Sequence, residues 1–467
     1  MRVRALAFLT AAALAVPAVA GASASAPDYS AAVSRPQADP YYPNRGDPSV
    51  DALHYGLEIS WDDETRRLTG TARIRLRIPA RESVLRLDLS RRLHPETVTL
   101  DGAKVSWTHD GAHLVVAAGR VLDRGSRHTL TVTYRGRPAP VDAPVVRGDF
   151  DTVGWTVTDS GQVWTMQEPW GALTWYPVND HPSDKAYYDL RVQTRRDWRG
   201  VANGRLVGDE VAGERRTTSW HLASPAAAYL VTVAIGPYQR YTDTGPGGLP
   251  VTYWVRPGDR DKLAGLRRTP GMLHWLEKRL GRYPFDRAGA VVVPSRSAME
   301  TQTLVTMGRS VLRGGRGASD LLHEYAHQWY GDSVTPDNWK DLWLNEGFAM
   351  YLQIRWEVAK GYRTMESWRR TLESYDQLLR DAYGPPGEYD RQAWGSTNVY
   401  YCPALMLDRL RAKIGKRNFA TVLRGWPQHH RFGNVDRGGW IRWVNRVTGR
   451  DLRPFVHRWL TSQDSPA

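Results

Sequence analysis

Apolar and polar residues alternate along the chain from about residue 51 to residue 244. Runs such as LEISW at 57–61, GTARIRLRI at 70–78 and HTLTVTYRG at 128–136 have the length of β-strands. They are separated by Gly, Asp, Asn and Pro, which are typical of turns. Alternation with a period of two places successive side chains on opposite faces of a strand, so that one face can be buried. The pattern predicts an antiparallel β domain over residues 51–244.

The period changes after DTGPGG at 243–248, whose three glycines and one proline mark a predicted domain boundary. Two short strands, VTYWV and GAVVVP, are predicted beyond it. Helical spacing is found at 261–281, 318–331, 346–360, 364–382 and 399–412. These segments predict a second, mostly α-helical domain over residues 245–467. The predicted fold class is therefore α+β with more than one domain.

The first 26 residues carry Arg2 and Arg4, then an apolar run, then several A-x-A sequences. This order is typical of a secretory signal peptide, and the apolar run is short for a membrane span. Residues 27–50, rich in Pro, Ala, Ser and Asp, are predicted to be a flexible lead-in. We expect a secreted monomer without stable membrane insertion.

Composition and charge narrow the classes of partner. Hydrophobic residues make up 41% of the chain, which is enough for large globular cores. Cys402 is the single cysteine, so an intrachain disulfide is excluded. The formal charge of +14 rests on 55 arginines and eight lysines. These are scattered without a polybasic block, so we expect no nucleic-acid partner.

The sequence HEYAHQWYGDSVTPDNWKDLWLNEGF at 323–348 carries a candidate metal site. His323 and His327 are four residues apart, which places both imidazoles on one face of a helix. Glu324 lies about 100° around that helix and can reach a water on the same ion. Glu346 can supply a carboxylate from the next helix. Because a catalytic zinc typically has three protein ligands and an open position, the pattern predicts one Zn2+ per chain.

This segment resembles the aminopeptidase N family of gluzincin metallopeptidases, which includes leukotriene hydrolase. Other segments resemble the family in the same order: QEPWGALTWYPVNDHPSDKA, AAYLVTVAIGPY and GRYPFDRAGAVVVP. The resemblance implies an N-terminal β domain followed by a thermolysin-like catalytic domain. It also implies a zinc aminopeptidase that acts on peptides with a free N-terminus. Relatives commonly carry further domains, so the resemblance implies a short form that lacks the C-terminal helical domain.

The resemblance implies catalytic roles for two side chains. Glu324 is expected to be the general base, and Tyr400 in YYCPAL is expected to donate a hydrogen bond to the oxyanion. Cys402 and Pro403 replace the family's lysine and glycine, so Tyr401 is a rival for the tyrosine role.

The resemblance also implies the residues that bind substrate. SAMET at 297–301 resembles the family's G-A-M-E-N segment, with Glu300 binding the amine and Ala298 and Met299 beside the extended peptide. Glu168 is the expected second contact to the amine. Ser297 and Thr301 replace the family's glycine and asparagine.

Two other functions remain open from the sequence. A zinc endopeptidase would share the metal chemistry but would cleave acetyl-blocked substrates equally well. A catalytically inactive, zinc-containing binding protein would account for the departures at Ser297, Thr301, Cys402 and Pro403. The presence of Glu324 beside only three ligands argues against the second function, because a structural zinc usually has four protein ligands.

Overall fold

The structure is a computed structural model that describes residues 28–312 and 317–467. The predicted signal peptide lies outside the described residues. Among the helices that are described, none combines the length and the apolar character needed to cross a membrane.

The first part of the described chain is built from strands. They are β1 (Asp51–Asp62), β2 (Arg67–Arg77), β3 (Glu82–Asp88), β4 (Leu93–Leu100), β5 (Ala103–Lys104), β6 (Ser106–Asp110), β7 (His113–Leu122), β8 (Arg127–Gly136), β9 (Val141–Asp142), β10 (Thr152–Val157), β11 (Val163–Met166), β12 (Lys185–Arg195), β13 (Arg199–Ala202), β14 (Arg205–Ala212), β15 (Arg215–Ala227) and β16 (Val233–Gly236).

These strands form three sheets. The largest has the order β14-β15-β12-β1-β2-β8-β4-β5, and the others have the orders β13-β16-β11-β10-β9 and β3-β7-β6. Pairing is antiparallel except between β1 and β12, where His54 lies opposite Tyr187 in a parallel register. The alternating burial along β2 follows the alternation in its sequence, which confirms the predicted β domain.

The second part of the chain combines a small sheet with helices. Its strands are β17 (Gln239–Thr244), β18 (Pro250–Val255), β19 (Ala288–Val293), β20 (Ala298–Met299), β21 (Val305–Gly308), β22 (Thr335–Pro336) and β23 (Asn434–Val435). Its helices are α1 (Leu263–Leu266), α2 (Thr269–Leu280), α3 (Gly317–His327), α4 (Trp343–Ala359), α5 (Met365–Tyr383), α6 (Asn398–His429), α7 (Arg437–Thr448) and α8 (Arg453–Thr461). The predicted fold class, α+β with a mostly helical second domain, is confirmed.

The glycine-rich sequence at the boundary predicted at residue 244 joins two strands. β17 and β18 form an antiparallel hairpin, with Gln239 opposite Val255 and Thr244 opposite Pro250. The five-stranded sheet of the second domain has the order β17-β18-β19-β21-β20. The glycine-rich sequence is therefore the turn of a hairpin within one sheet. Glycine and proline favour a chain reversal in either setting, so composition alone does not distinguish the two.

Residues 28–50, for which the composition predicts flexibility, lie against both domains. The Asp39 carboxylate accepts a hydrogen bond from the Trp339 amide at 2.8 Å, and the Tyr42 hydroxyl donates to the Arg391 carbonyl at 2.7 Å. The core of the β domain also takes in Trp339 and Trp394 from the second domain. Burial of these aromatic rings joins the two domains directly.

Candidate functional site

Helix α3 carries the two histidines of the candidate site. Its apolar residues, including Leu321, Leu322 and Tyr325, are fully buried in the core of the second domain. This burial fixes the rotation of the helix and turns the opposite face to the cleft. The His323 and His327 rings lie with their centroids 4.7 Å apart on that face.

Helix α4 brings a carboxylate to the same point. Glu346 lies in its first turn, with Oε2 3.1 Å from His323 Nε2 and 3.3 Å from His327 Nε2. One ligand atom from each of the three residues lies within 4.8 Å of the others. Tetrahedral zinc with bonds of about 2.0–2.2 Å requires ligand atoms about 3.3–3.6 Å apart. The arrangement therefore fits a single metal ion of that size.

The other ring nitrogens have partners that set the tautomers. His323 Nδ1 lies 3.1 Å from Gln353 Oε1, and His327 Nδ1 lies 3.0 Å from the Tyr330 carbonyl. Donation from Nδ1 to an oxygen leaves the Nε2 lone pair available to a metal. Although burial opposes ionisation, a positive charge on His327 lowers the pKa of Glu346, and a metal cation at the same place would act in the same direction. The carboxylate is thus ionised and able to bind a cation.

Glu324 extends from α3 into the same cleft and is 7% exposed. Burial, and then the Glu300 carboxylate, raise the pKa of Glu324 well above its ordinary value. A carboxyl group in this state holds a proton readily, which is the property required of a group that accepts and returns one.

Two further glutamates close one end of the cleft. Glu168 and Glu300 are 4% and 3% exposed, and Oε1 of each has no hydrogen-bond partner within the described part of the chain. Oxygens of Glu168, Glu300 and Glu346 lie within 4.8 Å of one another. Burial, and then the Glu300 carboxylate, raise the pKa of Glu168 well above its usual value. This end of the cleft is suited to a cationic group.

Ala298 and Met299 form β20, which pairs with β21 so that Met299 lies opposite Thr306. β20 is the edge strand of its sheet and lines the cleft. An edge strand has unpaired backbone groups that can bind an extended peptide.

The two candidate tyrosines lie in different surroundings. The Tyr400 ring stacks on the His323 ring at 5.8 Å, and burial, followed by the Glu346 carboxylate, raises the pKa of its hydroxyl well above the ordinary value. Tyr401 lies against Trp368 and Tyr375, with centroid distances of 6.3 Å to each. Tyr400 is therefore the tyrosine beside the three candidate metal ligands.

The sequence analysis did not identify several residues that line the cleft. Gln353 lies seven positions after Glu346, and helical spacing could have placed it on the same face of α4. Arg147 and Asp149 reach the cleft from the β domain, and the sequence pattern around them carries no signal for this. The whole cleft has a volume of about 1480 Å³.

Comparison with known families agrees with this geometry. A family model described as the peptidase M1 N-terminal domain matches residues 51–230, and one described as the peptidase family M1 domain matches residues 265–459. The chain belongs to peptidase family M1. The family resemblance drawn from the sequence is thus confirmed.

Curated relatives match this chain over part of their length. Aminopeptidase M1 of Arabidopsis thaliana is 26% identical over 462 residues, which cover 90% of this chain and 52% of the relative. Probable aminopeptidase 2 of Sulfurisphaera tokodaii is 24% identical over 326 residues, which cover 65% of this chain and 41% of the relative. The chain thus spans about half or less of these relatives.

A solved M1 structure matches almost end to end. The M1 zinc metallopeptidase from Deinococcus radiodurans is 25% identical with a TM-score of 0.80, covering 92% of this chain and 97% of that chain. A mutant of that protein bound to a Tyr-Ser-Ala substrate matches with 24% identity and a TM-score of 0.80, covering 92% and 98%. The two-domain M1 fold is therefore shared.

Proposed function

We propose that this protein is a zinc-dependent aminopeptidase that removes the first residue from peptides. The observation that carries the proposal is the position of Glu168 and Glu300 directly beside Glu346, one of the three candidate metal ligands. A buried carboxylate without a partner is costly, and a protonated amine would compensate its charge.

The two glutamates that would bind the amine lie close to the candidate metal ligands, and this short distance selects which peptide bond is cleaved. The nitrogen and carbonyl carbon of one residue are only about 2.5 Å apart. When an α-ammonium group binds Glu168 and Glu300, the carbonyl of that same residue lies at the metal ligands. Cleavage therefore falls on the first peptide bond. The aminopeptidase names of the curated relatives support this reading.

A zinc ion held by His323, His327 and Glu346 would act as a Lewis acid that activates a water and polarises the scissile carbonyl. Glu324 takes the proton of the attacking water as the carbon–oxygen bond forms. It then delivers this proton to the leaving nitrogen as the carbon–nitrogen bond breaks. The Tyr400 hydroxyl donates a hydrogen bond to the oxyanion that develops on the carbonyl oxygen. The zinc in the name of the solved M1 neighbour supports the choice of metal.

The proposal is tested with a panel of aminoacyl-coumarin amides, each with and without an N-acetyl group. We expect hydrolysis of the free amines only, and its loss on treatment with a chelator. In Glu300→Gln, the loss should appear mainly in KM for the free amines. Equal hydrolysis of acetylated substrates would instead indicate an endopeptidase. Bound zinc without turnover on any substrate would indicate a binding protein.

We also propose that the protein is secreted, on the basis of residues 1–26. The full-length chain is expressed in a host with a secretion pathway, and the protein in the medium is analysed by mass spectrometry. A mature N-terminus after one of the A-x-A sequences is expected. Retention in the cells with Met1–Arg4 still attached would contradict secretion.

A further inference from the structure

The loop that joins β9 to β10 in the β domain enters the cleft. Its residues Arg147 and Asp149 form a bidentate ion pair, with Nη2 2.8 Å from Oδ2 and Nε 3.2 Å from Oδ1. The loop is held in place by the Trp394 amide, which donates to the Pro144 carbonyl at 2.8 Å. Because the Nε–Nη2 edge of the guanidinium is paired with both carboxylate oxygens, the guanidinium has a fixed orientation.

The remaining arginine nitrogen points at the candidate oxyanion donor. Arg147 Nη1 lies 3.3 Å from the Tyr400 hydroxyl and 3.3 Å from the Gly395 carbonyl. A tyrosine hydroxyl has one proton to donate and lone pairs to accept. When the Tyr400 oxygen accepts a hydrogen bond from Arg147, the hydroxyl proton can point toward the candidate metal ligands. Substrate would bind on that side.

The same loop also contacts the segment that lines the other wall. The Arg296 guanidinium donates a hydrogen bond to the Gly148 carbonyl of the loop, and Ser297 adds a small contribution to that of Arg147 in lowering the pKa of the Asp149 carboxyl against the effect of burial. Ser297 is one of the positions at which the sequence departs from the family's glycine. The loop thus contacts the segment beside Ser297 at Gly148 and contacts Tyr400 through Arg147.

We propose that Arg147 is a positioning residue that orients the Tyr400 hydroxyl for donation to the substrate's oxyanion. The proposal rests on the proposed aminopeptidase function. A charged donor to the phenol oxygen strengthens the hydrogen bond that the phenol itself donates, because linked hydrogen bonds polarise one another. Arg147 acts through Tyr400 and makes no required contact with the substrate.

The test is a double-mutant cycle with Arg147→Met and Tyr400→Phe on an aminoacyl-coumarin amide. This substrate has no carboxylate for Arg147 to bind. We expect Tyr400→Phe to lower kcat by about 100-fold. Arg147→Met should lower kcat by about tenfold and change KM by less than about threefold. In the Tyr400→Phe background, Arg147→Met should have an effect of less than about twofold.

Three further measurements separate this role from a structural one. Arg147→Lys retains a charged donor and should recover part of the lost kcat. Affinity for a phosphinic dipeptide analogue of the transition state should fall in parallel with kcat, while zinc content stays at the wild-type value. Arg195→Met is the matched control, since Arg195 pairs with Asp197 at the same spacing on the same domain and does not line the cleft. It should leave all of these values unchanged.

An equal loss from Arg147→Met with and without the Tyr400 hydroxyl would overturn the proposal and indicate direct contact with substrate. An unchanged kcat in Arg147→Met would also overturn it. If this variant does not fold, Asp149→Asn is carried through the same cycle with the same criteria. Absence of turnover and of analogue binding in the wild-type protein would instead defeat the proposed function itself.

Discussion

Gly347 lies directly against Pro403 at the contact between α4 and α6. A Cβ atom at position 347 would stand 2.6 Å from both the Cβ and the Cγ of the proline. Gly347 follows the candidate ligand Glu346, and Pro403 follows Tyr400 by less than one turn of α6. The absence of a side chain at 347 therefore allows the helix with the carboxylate to approach the helix with the tyrosine. Pro403, which departs from the family's pattern, therefore packs against a glycine of α4.

Gly347→Ala should force these two helices apart. We expect a loss of about 1–3 kcal/mol in the free energy of unfolding, the usual cost of overpacking a core, and weaker zinc binding. The matched control is Gly271→Ala in α2, where nothing lies within 4 Å of the added Cβ. That change should leave stability equal or raise it by about 1 kcal/mol, because alanine favours a helix over glycine. Equal effects of the two substitutions in urea unfolding would contradict the close approach.

Glu324→Gln should separate chemistry from metal binding. The amide cannot accept the proton of the attacking water, so we expect kcat to fall by about 10²–10⁴-fold. Zinc content, measured by mass spectrometry, should remain that of the wild type because Glu324 is not one of the three proposed ligands. Glu366→Gln, at an exposed position on α5, is the control and should leave kcat unchanged. Activity near the wild-type value in Glu324→Gln would refute the general-base role.

Gln353→Ala should weaken metal binding without removing a ligand. The Gln353 amide holds the His323 ring, and it donates in turn to Glu357 at 3.4 Å. Loss of such a partner typically costs about 10–100-fold in metal affinity. The dissociation constant for zinc is measured by competition with a chelator, and Gln377→Ala, at a half-buried position on α5 that does not line the cleft, serves as control. An unchanged dissociation constant would mean that the ring is held by other contacts.

The raised pKa of the Asp180 carboxyl should make the free energy of unfolding depend on pH. Burial, and then the Asp88 carboxylate, raise the pKa of Asp180 to about 8 from its ordinary value of 3.8. Between these values the folded state holds a proton that the unfolded state has lost. The stability contributed by Asp180 is therefore present below about pH 4 and is lost as the pH rises to about 8.

Urea unfolding of the wild type and of Asp180→Asn at pH 5 and pH 8 tests this dependence. The free energy of unfolding of the wild type minus that of the variant should fall by at least about 1 kcal/mol, since one pKa unit is worth about 1.4 kcal/mol. Asp142→Asn, at an exposed position in the same domain, is the control. A difference that stays constant or grows with pH would disprove the raised pKa.

The candidate metal centre could be predicted because its signal is local. Two histidines at helical spacing are brought together by the helix itself, so only Glu346 depends on the packing of one helix against the next. Arg147 could not be predicted, because its contact with Tyr400 joins residues 253 positions apart. Such a contact depends on how two domains pack, which no periodicity encodes.

The fold shows the same division between local and long-range information. The alternation in β2 and the helical spacing of α3 each predict an element whose buried face matches its apolar residues. The boundary predicted at 244 stays a prediction, because its turn residues join β17 to β18 within one sheet and turn residues look alike within and between domains. Helix α6 extends from Asn398 to His429, beyond the prediction that ended at 412, with Gly415 inside it at φ 81 and ψ 157. The strong break at that glycine interrupts the helical pattern.

Anomalous X-ray diffraction at the zinc edge, recorded from crystals of the purified protein, tests the central claim most directly. The account predicts one strong peak per chain, at about 2.0–2.2 Å from Nε2 of His323, Nε2 of His327 and a carboxylate oxygen of Glu346. In Glu346→Gln the peak should weaken sharply. Absence of a peak at these atoms, or a peak elsewhere in the chain, would contradict the account.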